Sequence, residues 1–244
     1  MKQGNFTITE NIALTSDVMR MRLSGDVSDI TAPGQFINLK LDGLFLRRPI
    51  SVYDLDPTGV SIIYKIVGKG TAALAKMKKG ETLDVLTGLG NGYDLSKSGS
   101  DVCLLGGGVG VPPLYLLCKR LLAQGKRVSV VLGFNKKDEV FCEDAFRALG
   151  ADVTVTTVDG SYGKKGFVTD ALPEHYDYFY TCGPEPMLKA VYRSTKTSGQ
   201  FSFEERMGCG FGACMGCTCK TVTGYKRICK DGPVLEKEEI LWAD

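Results

Sequence analysis

The chain has 244 residues, of which 43% are hydrophobic and 24% charged, so it has the composition of a soluble globular protein with room for two or three compact units. Its 30 lysines and arginines against 28 aspartates and glutamates leave a net charge of +2, which excludes a nucleic-acid binder held by phosphate neutralisation. A lone histidine, His175, argues against hydrolases built on a histidine base, and 30 glycines point to tight turns and to backbone pressed against ligands.

The first hundred residues predict short strands. Residues 18–23 alternate Arg20 and Arg22 with Met19, Met21 and Leu23. Ile37, Leu39 and Leu41 alternate with Asn38 and Lys40, and Val60, Ile62, Tyr64 and Ile66 share one face of a third strand. Turn signals at Pro33-Gly34, Asp42-Gly43 and Asp56-Pro57 separate these runs. The pattern is that of a small antiparallel barrel or sandwich, interrupted by one helix over 71–78.

From about residue 100 the rhythm changes. A strand over 101–105 runs into Gly106-Gly107-Gly108, and a helix follows with Leu114, Leu117, Cys118, Leu121 and Leu122 on one face. Strands are expected over 127–132, 152–157 and 176–181, and helices over 138–149 and from Glu185 to Thr197. Alternating strand and helix predicts a doubly wound parallel sheet. The last forty residues are rich in glycine and cysteine and lack periodicity, so something other than a hydrophobic core is expected to hold them. The expected fold class is therefore β plus α/β: an antiparallel barrel over 1–98, a parallel-sheet domain over 99–206 and a terminal segment over 207–244.

The opening sixteen residues carry no apolar run of a secretory leader. The most apolar stretch, 102–118, is broken by four glycines and two prolines and is too short to span a bilayer. A cytoplasmic protein without membrane contact is expected. In a reducing compartment, clustered cysteines serve metal or redox chemistry more often than disulfides. Of nine cysteines, Cys103, Cys118, Cys142 and Cys182 are scattered, whereas Cys209, Cys214, Cys217, Cys219 and Cys229 fall within 21 residues.

The spacing Cys209-x4-Cys214-x2-Cys217, with Cys229 twelve residues on, is that of a plant-type 2Fe–2S loop. Gly208, Gly210, Gly212 and Gly216 suit a backbone wrapped round a cluster and donating N–H groups to its sulfurs. A four-cysteine zinc site is the alternative, although zinc sites usually combine two close pairs and here only Cys214 and Cys217 form one. Cys219 is a spare thiol, poorly spaced from Cys217 to replace Cys229. The run Gly106 to Pro113 opens a helix after a strand, as a dinucleotide pyrophosphate loop does; Gly108 and Gly110 are its candidate contacts, although a tight turn alone reads similarly. Cys182, Gly183 and Pro184 end another predicted strand, where ligands sit in doubly wound sheets. Arg47-Arg48-Pro49-Ile50-Ser51 offers a guanidinium for phosphate and a hydroxyl for a ring nitrogen; an ordinary basic strand end is its plainer reading. Gly68-Lys69-Gly70-Thr71 opens a helix and is a second candidate phosphate cradle, with Thr71 expected to be free to donate.

In this order the motifs resemble the ferredoxin-reductase superfamily of flavoproteins. The tail GCGFGACMGC, followed by Arg227-Ile228-Cys229-Lys230-Asp231-Gly232-Pro233, resembles the electron-transfer subunits of class 1B dihydroorotate dehydrogenases. The resemblance spans essentially the whole chain. It implies FAD on the barrel, held by Arg48, Pro49, Ile50 and Ser51, by Ile63, Tyr64 and Lys65, and by Gly70 and Thr71. It implies a 2Fe–2S cluster on Cys209, Cys214, Cys217 and Cys229, and NAD on the parallel sheet. It also implies a partner, the FMN-containing catalytic subunit, two copies of each, in pyrimidine synthesis. No acidic residue stands at Gly133-Phe134-Asn135-Lys136-Lys137, where a ribose carboxylate is usual, so the residues themselves leave NAD and NADP open. An NAD(P)H reductase subunit of another ferredoxin- or hydrogenase-type complex is the rival within the superfamily. Nicotinamide exchanges electrons in pairs, a cluster singly and a flavin either way, so such a chain converts between the two with no side chain acting as general base.

Overall fold

A computed structural model describes residues 1–242; residues 243 and 244, the end of the expected 207–244 segment, lie outside the described residues. Strands β1 (Lys2–Ala13), β2 (Val18–Ser24), β3 (Phe36–Leu39), β4 (Arg48–Asp56), β5 (Gly59–Lys65) and β6 (Thr82–Leu89) close into an antiparallel barrel in the order β1-β2-β5-β4-β3-β6. Period-two alternation sends Phe6, Ile8, Met21, Leu23, Ile37, Leu39, Val52 and Ile62 into its core. Helix α1 (Lys69–Lys76) adds Leu74 to that core.

The second layer system begins at β7 (Asp101–Gly107), followed by α2 (Pro113–Ala123), β8 (Arg127–Phe134), α3 (Glu143–Ala148), β9 (Asp152–Thr157), β10 (Lys164–Lys165), β11 (Tyr178–Cys182), α4 (Glu185–Ser194) and β12 (Gly199–Ser202). A hairpin of β13 (Thr218–Thr221) and β14 (Gly224–Arg227) precedes β15 (Val234–Glu236). The sheet order is β10-β9-β8-β7-β11-β12-β15, parallel throughout except that β15 runs antiparallel to β12. The barrel docks on α2. Tyr53 of β4 stacks on Tyr115 at 4.4 Å, and Lys119 Nζ pairs with Asp54 at 3.0 Å.

Three expectations need correction. The helix expected over 138–149 is a 3₁₀ turn at Lys137–Glu139 and a short α3, because Cys142 takes φ +66°, a left-handed conformation that no helix continues through. The last helix stops at Ser194, three residues early. The terminal segment does have a hydrophobic core: Cys217, Ile228, Cys229, Leu235 and Ile240 are buried with Phe36 of the barrel and Phe179, Leu188 and Phe201 of the sheet. Its apolar residues come singly from turns and short strands, so no period reveals them.

Candidate functional site

The cluster loop folds by turns rather than by secondary structure. Gly210 and Gly212 take φ +81° and +91°, and Met215 takes φ +61°. The turn points N–H groups at sulfur: Cys209 Sγ accepts from Ala213 N at 3.2 Å and Cys214 N at 3.4 Å, and Cys217 Sγ accepts from Cys229 N at 3.4 Å. Burial opposes ionisation of Cys209, but the N–H groups of Cys214, Phe211 and Ala213 outweigh it and lower the thiol to about 6. Arg227 ties the loop to the turn bearing Cys229, donating to Gly212 O at 3.0 Å and pairing with Asp231 at 2.9 Å. The backbone at Gly208 passes so close that a Cβ there would lie 3.2 Å from Cys214 Sγ.

The sulfurs fall in two pairs, Cys209 beside Cys214 and Cys217 beside Cys229. Among the described residues, no three cysteine sulfurs lie within 4.8 Å of one another. A tetrahedral zinc with bonds near 2.3 Å would draw all four sulfurs to about 3.8 Å. Two pairs suit two irons, so the donor set fits a 2Fe–2S cluster better than a single ion. Cys219 stands on β13 and lines a separate cavity of about 320 Å³ with Phe203, Glu205 and Trp242. Burial pushes its thiol up, with Glu205 adding to the effect.

The flavin motif lies on β4, next to the cluster loop. Arg48 reaches α1, where a Cβ on Gly70 would stand 2.1 Å from Arg48 Nε. The expected phosphate arginine and the expected helix-opening glycine therefore form one site. Arg47 is engaged elsewhere: its guanidinium grips the Asp84 carboxylate of β6 with two contacts of 3.0 Å. Pro49 and Ser51 pair across with Asn38 and Phe36 of β3, while Ile50 packs toward the barrel core. On β5, Tyr64 is buried in the barrel with its hydroxyl on Asn11 Oδ1 at 3.1 Å, leaving only its backbone for a ligand. Ile63 is buried on the opposite side, toward α2, and Lys65 pairs with Asp17 at 3.1 Å. The Thr71 hydroxyl is not free: it accepts from Val67 N at 2.9 Å and donates to Gly68 O at 3.3 Å. It shapes the start of α1, and the unpaired N–H groups of that first turn are what a phosphate can use.

The two glycine loops of the sheet meet face to face. A Cβ on Gly110 would lie 2.3 Å from Cys182 O and 2.5 Å from Gly183 N. Gly107 and Gly183 both pack on Met187. Gly108 takes φ +51° and faces open space, and Pro184, exposed at the start of α4, lies against Gly107. Burial pushes the Cys182 thiol up to about 12, which keeps it protonated and unreactive at neutral pH. The floor of this groove is therefore backbone and apolar side chain, fit for a dinucleotide laid across strand ends.

Residues 204–241 match the model of the iron-sulfur cluster binding domain of dihydroorotate dehydrogenase B, and residues 104–193 match the oxidoreductase NAD-binding domain. The dihydroorotate dehydrogenase B (NAD(+)) electron transfer subunit of Fusobacterium nucleatum is 45% identical over 96% of this chain and 96% of its own length. That of Shouchella clausii is 44% identical over 98% of each. The chain belongs to this family of electron transfer subunits. The fold reaches further. A structure of NADH-dependent reduced ferredoxin-NADP oxidoreductase, described in connection with flavin-based electron bifurcation, is 32% identical with a TM-score of 0.89, covering 97% of this chain and 90% of that one. The FAD/NAD-binding domain of a Vibrio cholerae nitric oxide dioxygenase, 23% identical over 79% of this chain and 92% of its own, shares the fold at a TM-score of 0.68.

Two residues of this family member escaped the sequence reading. Glu139 lies beyond the end of β8, yet the 3₁₀ turn folds its carboxylate back to accept from Asn135 N at 3.3 Å and Asn135 Nδ2 at 2.9 Å. An acidic group thus does stand at the second strand end, which corrects the expectation of none there. The turn at Lys137–Glu139 is the reason, since strand spacing alone leaves Glu139 outside the site. Asn38 reads in sequence as the solvent-side partner of Ile37 and Leu39, but it is buried against Cys209. Among the described residues no helix is long and apolar enough to cross a membrane.

Proposed function

We propose that this chain is the electron-transfer subunit of a dihydroorotate dehydrogenase, linking an FMN-containing catalytic subunit through a 2Fe–2S cluster and FAD to NAD+ in de novo UMP synthesis. The observation that carries this reading is the junction of three prepared sites in one chain. The Cys209 loop packs on β3, β3 pairs with the flavin strand β4, and β4 stacks through Tyr53 on α2, the helix opened by the dinucleotide loop. When bound, flavin and cluster supply the exchange between paired and single electrons.

The protein's own residues bind, space and screen. Cys209, Cys214, Cys217 and Cys229 hold the cluster, with the loop N–H groups favouring thiolate. Arg48, Gly70 and the first turn of α1 bind the FAD phosphates, while Pro49, Ile50, Ser51 and the strand Ile63-Tyr64-Lys65 seat the rest. Gly108, Gly110, Cys182, Gly183 and Pro184 receive NAD. We place the FAD unit at 1–98, the NAD unit at 99–206 and the cluster segment at 207–244. A cytoplasmic assembly of two copies of each subunit completes the proposal, with Phe211 and Met215, exposed beside the cluster cysteines, at the docking surface. Anaerobic purification followed by absorption spectroscopy and cofactor extraction tests it. Flavin bands with an iron–sulfur shoulder are expected, and a colourless zinc protein contradicts the assignment.

A further inference from the structure

Asn38 occupies a strand position that touches both the flavin motif and the cluster loop. On β3, Ile37 and Leu39 point into the barrel core, so Asn38 and Phe36 point out. Residues directly opposite in an antiparallel pair share a face, and the partners of Asn38 and Phe36 on β4 are Pro49 and Ser51. Asn38 therefore stands on the flavin-motif face of the barrel. From that face its Nδ2 donates to Cys209 O at 3.3 Å, across 171 residues of sequence. The loop presses close: a Cβ on Gly210 would lie 2.4 Å from Asn38 Nδ2. Phe36 beside it packs in the same core as Cys217 and Cys229.

Asn38 is only 1% exposed, and its Oδ1 has no hydrogen-bond partner. An unpaired buried acceptor is costly, and such groups mark strain, function or a ligand. The amide orientation is fixed by its contact, because only Nδ2 can serve the Cys209 carbonyl.

We propose that Asn38 is a positioning residue for electron transfer, clamping the first cluster cysteine's loop to β3, the strand paired with the flavin strand β4, and so setting the separation of the two redox sites, with Oδ1 left as an acceptor for the loaded site. The proposal rests on the assignment of Cys209 to the cluster and of β4 to FAD. Its signature is a split in rates. Flavin reduction by NADH would use the dinucleotide groove, whose glycines pack on Cys182 and Met187 and not on Asn38, whereas the flavin-to-cluster step would depend on the clamp.

The test uses the full chain loaded with FAD and cluster, as wild type, Asn38→Leu, Asn38→Asp and Gly210→Ala. Asp keeps the shape of Asn but loses the donor, and Ala at 210 sets a methyl against Asn38 Nδ2 and pushes the loop off it. Anaerobic stopped-flow mixing with NADH follows flavin and cluster bleaching separately. The ratio of cluster-reduction to flavin-reduction rate is expected to fall by roughly tenfold or more in the variants, the factor that an orphaned buried carbonyl imposes on a docked loop. Cluster loss from Asn38→Asp with FAD retained also supports the clamp. A wild-type ratio in both Asn38→Asp and Gly210→Ala overturns it, as does loss of FAD with the cluster retained. Failure of the underlying assignment looks different: Cys209→Ser would then keep an unchanged cluster spectrum.

Discussion

Arg48 lies over Gly70 so closely that any side chain there would collide with its Nε at 2.1 Å. An arginine on a barrel strand and a glycine in the first turn of a helix thus make one phosphate site from segments more than twenty residues apart. Arg47, the adjacent residue, turns away to Asp84. Replacing Arg48 with alanine should weaken FAD binding roughly ten- to hundredfold, the worth of one charge-assisted hydrogen bond. Arg47→Ala should retain FAD and lower the unfolding free energy instead, by about 1.5–3 kcal/mol at most, because it frees a part-buried carboxylate. Flavin content after gel filtration, with thermal unfolding alongside, checks both. Equal flavin loss in the two variants contradicts the assignment.

Gly70→Ala should imitate Arg48→Ala without removing any charge. The new methyl displaces the guanidinium from its place above the helix start, and flavin affinity is expected to fall severalfold. Titration of the apoprotein with FAD, read by quenching of flavin fluorescence, measures this. Unchanged affinity would mean that Arg48 binds phosphate from another position.

Cys214→Ser should abolish the cluster and spare FAD, since the loop carries no flavin-motif residue. The NADH–dye reductase activity should persist. Cys219→Ser should keep the full cluster spectrum, because Cys219 lines a different cavity with Glu205 and Trp242. Absorption and iron content distinguish the two outcomes, and a cluster that survives Cys214→Ser would redirect the fourth ligand to Cys219.

Glu139, held by Asn135 at the end of β8, stands where a carboxylate would favour a ribose hydroxyl and repel a 2′-phosphate. Glu139→Ala should raise the NADPH-to-NADH ratio of kcat/KM about fivefold or more, with Lys136 and Lys137 left to attract the phosphate. Steady-state reduction of a dye with each nucleotide gives the ratio. No change would remove Glu139 from the site.

Much of the fold was legible because β2, β3 and β5 alternate cleanly and β7, β8 and β9 are apolar runs closed by turns. Strands β1, β4 and β6 were not. Each mixes polar residues into its inward register, and β4 carries the flavin motif, whose residues serve a ligand and not a core. Cysteine spacing located the cluster loop without any periodicity, since a cluster fixes ligand separations along the chain. Asn38 and Glu139 stayed hidden for different reasons. Asn38 meets Cys209 from 171 residues away, and Glu139 is turned back onto Asn135 by a 3₁₀ turn of three residues, and neither contact has a hydrophobic period to reveal it. Thr71 shows the reverse error: its type suited a donor, but the turn before α1 had already engaged its hydroxyl.

Glu239 gives the cluster segment a pH limit. Burial works against its ionisation, but hydrogen bonds from Lys226 and from Glu236 N outweigh this and hold its carboxyl below its ordinary value of 4.5. A carboxylate with a lowered folded pKa adds stability above its unfolded pKa and loses it as pH falls through the folded value. The contact between β14 and the C-terminal turn should therefore weaken below about pH 4.5. Limited proteolysis of the apoprotein across pH 3–6 should show hairpin cleavage rising on the acid side. Lys226→Met should flatten the profile, and an unaltered profile contradicts the role of the pair.

The central claim is that this chain carries electrons for a partner and oxidises no dihydroorotate itself. Barrel, sheet and tail each carry one of the three proposed cofactor sites, and a catalytic partner would supply the pyrimidine site. Dihydroorotate-dependent reduction of NAD+, followed at the NADH absorbance, should be absent with the purified chain, appear on adding an FMN-containing catalytic subunit, and vanish again with Cys214→Ser. Turnover by the chain alone, or undiminished turnover by the Cys214→Ser complex, would contradict the account.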